Sequence, residues 1–248
     1  MVISFIGRRT RSGTVRRPGS VGLRGLRRAA CGSGVAAVVG LSACGDEPAT
    51  NDSTPVEVYG AGSLAVPVES LSDVVSYADQ VSVVEVVSER DLSPPGGQNP
   101  EEDYVPREVT VVVGETLWRR PGAPASDDRF SMVAFGSVER PNERAPVGVV
   151  GGARLEVGES CLMALAQRKE GWGAYPMSTL ELDGDRTVDE VGGQAPPPTV
   201  APLAGKSLDE VADIVQAAKP DPLAVKYGDL PPAERWQAAD RERESAGP

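Results

Sequence analysis

The sequence predicts a mainly β fold, a small five-stranded open barrel with one or two short flanking helices. Five short apolar segments, most of them rich in valine, have the alternation or the length of β-strands. Long polar connections that contain proline and glycine separate most of these segments. Only two segments combine a helical apolar stripe with a capping residue, so helices should be few.

The first predicted element is a short amphipathic helix. Leu71, Val74, Val75 and Ala78 recur at helical spacing, which places them on one face. Ser70 precedes them and suits the N-cap, because its hydroxyl can accept a backbone N–H of the first turn. The sequence therefore predicts a helix immediately before the first long strand.

The first long strand is predicted over residues 80–89, where the apolar pattern changes phase. Val81 and Val83 share one face, whereas Val84 and Val86 lie on the other. Because side chains alternate strictly along a strand, such a change indicates a bulge or strong coiling. We expect this strand to serve two faces of the sheet in turn.

Four further strands follow from alternating or continuous apolar residues. They are predicted over residues 107–118, 129–136, 160–167 and 179–183. The third of these is apolar on both faces and should be central in the sheet. Residues 93–106 and 137–153 are expected to be long loops.

The C-terminal part is predicted to contain one docking helix. Residues 191–206 are proline-rich and are interpreted as a stiff linker. Ser207 and Glu210 form a capping box that opens an apolar stripe over residues 207–219, so this helix should pack on the sheet. Residues 220–248 are expected to form a polar tail, whose charged part from residue 231 onward frays and contains one exposed helical turn.

Residues 41–44 (Leu-Ser-Ala-Cys) resemble the lipobox of bacterial lipoprotein signal peptides. Eight arginines and no acidic residue precede this pattern, and an apolar run of about 15 residues is too short to span a bilayer comfortably. The resemblance implies cleavage between Ala43 and Cys44 and a lipid on the Cys44 thiol. A secretory signal cut elsewhere and an uncleaved membrane anchor are the alternatives.

This resemblance implies a location on the extracytoplasmic face of the cell membrane. Residues 1–43 would be the signal peptide, and residues 44–66 would carry the lipid and form a flexible tether to a β domain at residues 67–190. Two or more acyl chains on Cys44 would anchor the protein stably, whereas one chain binds only marginally.

The charge balance argues against nucleic acid as a partner. The signal peptide contains eight of the 25 basic residues, so 17 remain against 36 acidic residues, a net charge of −19. Such a surface repels phosphate backbones and anionic lipid headgroups. Attachment to the membrane would therefore depend on the lipid.

The residue types also restrict the chemistry. The chain contains no histidine, which excludes Ser-His-Asp and Cys-His nucleophile systems and histidine zinc ligands. Cys161 is the cysteine left after Cys31 and Cys44, and its apolar surroundings in sequence predict a buried, inert thiol. No catalytic residue, cofactor or metal is predicted.

Three segments are similar to the OB-fold domain of tissue inhibitors of metalloproteinases and netrin-like modules. Residues 77–86 resemble its first strand, 109–117 its second, and 155–163 its glycine turn and the next central strand. The resemblance implies an OB-like open barrel. The inhibitory mechanism does not carry over, because it needs a free N-terminal cysteine that is predicted here to be lipidated.

We expect a lipid-anchored, non-catalytic binding or interaction module that is monomeric and meets an envelope protein or polymer. A scaffold for a membrane complex and a carboxylate-dependent hydrolase using Asp183 and Asp185 are the alternatives. Aromatic residues and arginine often anchor interfaces. The candidate partner-binding residues are Trp118, Arg119, Arg120, Trp172 and Tyr175. Alternatively, both tryptophans close the ends of the barrel core.

Overall fold

One sheet dominates the fold; it has seven antiparallel strands and one short parallel strand at an edge. The computed structural model describes residues 56–57, 65–92, 103–140, 143–148 and 151–247. Cys44 and the predicted signal peptide lie outside these residues, as does most of the predicted tether. The strands are β1 (Val56–Glu57), β2 (Gln80–Asp91), β3 (Asp103–Arg119), β4 (Arg129–Arg140), β5 (Glu143–Gly148), β6 (Ser160–Arg168), β7 (Gly171–Asp183) and β8 (Arg186–Thr187).

The strand order in the sheet is β1-β5-β4-β3-β2-β6-β7-β8, and the sheet is open. The short strand β1 is parallel to β5, and every other neighbouring pair is antiparallel. The helices are few, and none in the described ranges is long and apolar enough to cross a membrane. They are α1 (Leu71–Tyr77), α2 (Leu208–Ala217), α3 (Pro222–Lys226) and α4 (Pro232–Ala246), with a 3₁₀ turn at Ala201–Leu203.

The predicted mainly β class is confirmed, but the predicted number of five strands is wrong. Strand β5 lies within residues 137–153, which were expected to be a loop, because its charged residues and proline hide the alternation. Strand β7 begins at Gly171 rather than at residue 179. Four of its residues bulge between Ala174 and Thr179, which pair with Leu165 and Met163 of β6, so its apolar pattern is broken.

The phase change in β2 is confirmed as a switch between two hydrophobic clusters. Val81 packs in the helix-side cluster, which lies between the sheet and helices α1 and α2. Val84 and Val86 pack in the strand-side cluster, which is formed by residues of β2, β3, β4, β6 and β7. The register of β2 against β3 shifts on both sides of Ser82 and again after Val86, which turns the strand from one cluster to the other.

Both predicted helices are present with their capping boxes. In α1 the Ser70 hydroxyl accepts the Asp73 N–H, and the Asp73 carboxylate accepts the Ser70 N–H. In α2 Ser207 and Glu210 form the same reciprocal pair. Val211 of α2 is fully buried in the helix-side cluster, so the docking of this helix on the sheet is confirmed.

The proline-rich segment before α2 packs against the domain and is not a free linker. Val200 and Leu203 are buried in the helix-side cluster, and Thr199 is fully buried beside them in sequence. The Thr199 hydroxyl donates a hydrogen bond to the Met177 carbonyl in the β7 bulge. Proline reduces the conformational entropy of the unfolded chain, which stabilises a segment that packs on the domain. A proline-rich composition is therefore compatible with a packed segment as well as with a linker.

The expectation of a fraying polar tail after residue 220 is wrong. Residues 222–226 and 232–246 form α3 and α4, and Pro232, Arg235, Ala238 and Ala239 of α4 are buried. These residues recur at helical spacing on one face. This buried face is weakly hydrophobic, because an arginine occupies its central position. Hydrophobic periodicity therefore does not reveal it in the sequence.

Candidate functional site

The five predicted binding residues do not form one surface. Trp172 is 8% exposed and packs in the strand-side cluster, whereas Tyr175 is 1% exposed and packs in the helix-side cluster. The Tyr175 hydroxyl donates to the Pro67 carbonyl. Both aromatic rings are therefore part of the core rather than accessible contact surface.

The other three predicted residues follow one another at the end of β3. Trp118 is partly buried against the helix-side cluster, and Arg119 is exposed. Arg120 is paired with Asp79 at 2.8 Å. Of the two charges in the predicted basic spot at Arg119 and Arg120, that of Arg120 is thus compensated by the buried Asp79 carboxylate.

Asp79 lies at the junction between α1 and β2 and is fixed by the backbone of β6. Its N–H donates to the Leu165 carbonyl at 2.8 Å. Its Oδ2 accepts the Gln167 N–H at 2.8 Å. The side chain is only 3% exposed, so its charge must be balanced within the fold.

Two arginines from distant parts of the chain supply this balance. Arg120 reaches Oδ1 of Asp79 with Nη2 at 2.8 Å and Nε at 3.3 Å. Arg235 of α4 reaches the same oxygen with Nη2 at 3.3 Å. One carboxylate therefore faces two guanidinium groups.

Arg235 also completes the backbone hydrogen bonding at this point. It donates to the Ser76 carbonyl at 2.9 Å and to the Leu230 carbonyl at 3.0 Å. Its side chain is 1% exposed. Burial, followed by the nearby charge of Arg120, lowers the pKa of Arg235 below its ordinary value, although Asp79 opposes this shift.

Helix α4 is held against α1 by further contacts beyond Arg235. Trp236 meets the Tyr77 ring edge to face with a centroid distance of 5.6 Å. The Arg243 guanidinium lies 5.0 Å from the Trp236 ring centroid and pairs with Asp221. The Tyr77 hydroxyl donates to Asp221 at 3.0 Å.

A cleft of about 340 Å³ opens above the Asp79 ion pair, and we call it the Asp79 cleft. One wall is the end of β6 and the turn after it, which contribute Arg168 and Lys169. A second wall is the loop between α3 and α4 with the first turn of α4, which contributes Asp229 and Glu234. The loop after β3 forms the remaining side.

The innermost carboxylate of the Asp79 cleft already has partners within the fold. It is occupied by two guanidinium groups and a backbone N–H. Within the described ranges, no group of three or more histidine, cysteine or acidic residues could hold a metal ion. Asp183 and Asp185 lie apart from the cleft, at the exposed turn between β7 and β8.

The predicted burial of the Cys161 thiol is confirmed. Cys161 is buried in the strand-side cluster. Burial, and to a smaller extent Glu159 and Glu181, raises the pKa of its thiol to about 12. Such a thiol carries almost no thiolate near neutral pH and is a poor nucleophile.

The comparisons with known proteins give no relative for this chain. No protein-family model matches it, and no curated protein or solved structure shows significant similarity to it.

Asp79 and Arg235 were not among the residues selected from the sequence. Asp79 sits between a helix signature and a valine-rich strand, which is a position where an acid is usually solvated. Arg235 was assigned to a charged tail. Its spacing from Pro232, Ala238 and Ala239 was the available signal, since these four residues share one helical face.

Proposed function

We propose that this protein is a lipid-anchored, non-catalytic binding module on the outer face of the cell membrane, and that it holds its ligand in the Asp79 cleft. The anchor rests on the Leu-Ser-Ala-Cys pattern at residues 41–44 and the arginine-rich, apolar segment before it. The binding role rests on the cleft.

The observation that carries the binding role is the open cavity directly above a buried ion pair. Its volume of about 340 Å³ lies in the range of small-molecule sites, which combine a concave surface with a few fixed polar groups. The polar groups here are held by secondary structure on both sides. Arg120 directly follows β3, and Arg235 lies in the first turn of a helix.

We also propose an OB-like arrangement for strands β2, β3, β4, β6 and β7, with β5 and β8 as additions at the edges. In favour of this, β2 pairs with both β3 and β6. Residues of β4 and β7 also approach within 8 Å between Cα atoms. An experimental structure that separates β4 from β7 would contradict this arrangement.

The anchor is tested by the Cys44→Ser variant. A lipid-modified protein is labelled by an alkyne fatty acid and sediments with membranes, and the variant should lose both properties. Cys31→Ser is the matched control, since residue 31 would be removed with the signal peptide. Labelling of the Cys44→Ser variant at the level of the unchanged protein would overturn the lipoprotein proposal.

The binding role is tested with the full-length chain purified in detergent. The small-molecule fraction of cell-envelope extract is added, and the backbone amide signals of Gln167 and Gly228, which line the cleft, are followed by NMR. We expect these signals to shift while those of Gly184 in the distant β7–β8 turn do not. Unchanged cleft signals at saturating extract would overturn the proposed function.

A further inference from the structure

The floor of the Asp79 cleft carries one positive charge in excess. Arg120 and Arg235 each contribute one, and Asp79 is the carboxylate that pairs with both. Both arginines are largely shielded from solvent, with side chains 15% and 1% exposed. A shielded charge without a counter-ion is unfavourable, and an anion of the right size would relieve it.

Arg120 retains hydrogen-bond donors for such an anion. A guanidinium has five N–H donors. Arg120 uses three of these donors. Nε and Nη2 donate to Asp79 Oδ1, and Nη1 donates to the Pro121 carbonyl at 3.3 Å. The second proton of Nη1 and that of Nη2 have no partner among the described residues. Arg120 lines the cleft, and these two donors are therefore the ones available to a ligand there.

The wall formed by the β6–β7 turn adds to this positive charge. Lys169 is exposed and forms no salt bridge with any residue in the described ranges. Arg168 donates to the Ala174 carbonyl. It forms no salt bridge with a carboxylate in the described part of the chain, so its positive charge is not neutralised there. Four cations therefore line one cleft in a chain whose part after residue 43 has a net charge of −19.

The second wall limits the charge of the ligand. Asp229 and Glu234 are exposed there, and they would repel a second negative charge. The four cations and the three acids of the lining, Asp79 included, leave a net charge of +1. A ligand with one negative charge balances the cleft, whereas a dianion does not.

We propose that the Asp79 cleft binds a small organic molecule that carries a single carboxylate. The carboxylate would lie against Arg120, whose planar donors suit two carboxylate oxygens, and within the field of Lys169. The apolar part would contact Leu230 and Pro124, which also line the cleft. This inference rests on the proposed binding function and specifies the class of its ligand.

The test uses N-acetyl-L-leucine, with N-acetyl-L-leucinamide as its matched neutral probe and, at about pH 8.5, inorganic phosphate as the dianion. Each probe is titrated into the full-length chain in detergent by calorimetry. We expect the acid to bind at least about tenfold more tightly than the amide, because the amide loses a charge-assisted contact. Phosphate should bind at least about tenfold more weakly than the acid, because Asp229 and Glu234 repel it.

Two variants connect the binding to the cleft. Lys169→Gln should weaken acid binding by roughly threefold to tenfold without lowering the melting temperature, because Lys169 is exposed and unpaired among the described residues. Lys219→Gln, an exposed lysine that does not line the cleft, should leave binding unchanged. Equal weakening by both variants would overturn the site.

The outcomes separate this inference from the proposed function. Equal affinity for acid and amide, or tighter binding of phosphate than of the acid, overturns the monocarboxylate. No binding of the acid, in a sample whose cleft amide signals do shift with envelope extract, also overturns it but leaves the binding function standing. If neither the acid nor the extract acts, both proposals fail.

Discussion

The guanidinium of Arg235 lies 3.3 Å from Oδ1 of Asp79, a residue 156 positions earlier in the chain. Asp79 directly precedes β2, a central strand of the sheet, and Arg235 belongs to helix α4. This contact, shared with Arg120, joins the sheet to α4 and at the same time forms the floor of the only cleft to which we assign a function.

Removing Arg235 should destabilise the protein strongly. Arg235→Ala leaves the Ser76 and Leu230 carbonyls without this donor and leaves Asp79 with Arg120 as its remaining guanidinium partner, so we expect a loss of about 3–5 kcal/mol in the free energy of unfolding. The measurement is urea denaturation followed by circular dichroism. Arg241→Ala, on the exposed side of the same helix, should cost less than about 0.5 kcal/mol. Similar costs for the two variants would contradict the role of Arg235.

A charge placed at Val211 should show whether α2 belongs to the core. Val211 is fully buried in the helix-side cluster, so Val211→Asp buries an unpaired carboxylate and should cost several kcal/mol of stability. Gln216→Asp introduces the same residue on the exposed face of α2 and serves as its control. A melting temperature equal to that of the unchanged protein would show that α2 does not stabilise the sheet.

The thiol of Cys161 should be unreactive in the folded protein. Its pKa of about 12 leaves a thiolate fraction of roughly 10⁻⁴ at pH 8, and its burial blocks access. We expect Ellman's reagent to modify it only after unfolding in urea, in a chain that carries Cys31→Ser and Cys44→Ser so that one thiol remains. Modification within minutes in native buffer would show that this thiol is accessible.

High pH should destabilise the fold through buried tyrosines. Burial is the main cause that raises the pKa of both Tyr77 and Tyr175 above their ordinary value of 10.0. A folded-state pKa above the unfolded value stabilises the fold fully below pH 10, and this stability is lost as the pH rises toward the folded-state pKa. Ultraviolet absorbance should therefore show these phenols ionising together with unfolding. Reversible ionisation of both in a protein that keeps its native circular dichroism would contradict this expectation.

The local parts of the fold could be predicted from the sequence. A capping serine and an apolar stripe predict each of the helices α1 and α2, and both signals lie within one or two helical turns. The sequence predicts the change of face in β2 because Val83 and Val84 are adjacent and both apolar. Each of these features depends on neighbours in the chain.

The parts that depend on distant partners could not be predicted. Strand β5 is a strand because β4 extends far enough to pair with it, with Arg140 opposite Glu143, and not because of its own composition. Helix α4 is fixed by Arg235, whose burial is tolerated only because Asp79 and two carbonyls meet it. The Asp79 cleft contains one residue that the sequence indicates, Arg120, and two that depend on distant contacts, Asp79 and Arg235. The sequence therefore does not predict the cleft as a site.

The long separation between Asp79 and Arg235 also has a consequence for the order in which the molecule is made. A chain that emerges from the ribosome up to residue 220 already contains every strand of the sheet and helix α2. It still lacks Arg235, which donates hydrogen bonds to Asp79 and to the Ser76 carbonyl. Because α4 follows every other described element in the chain, it is the last of them to emerge, and the site is complete only after α4 has docked.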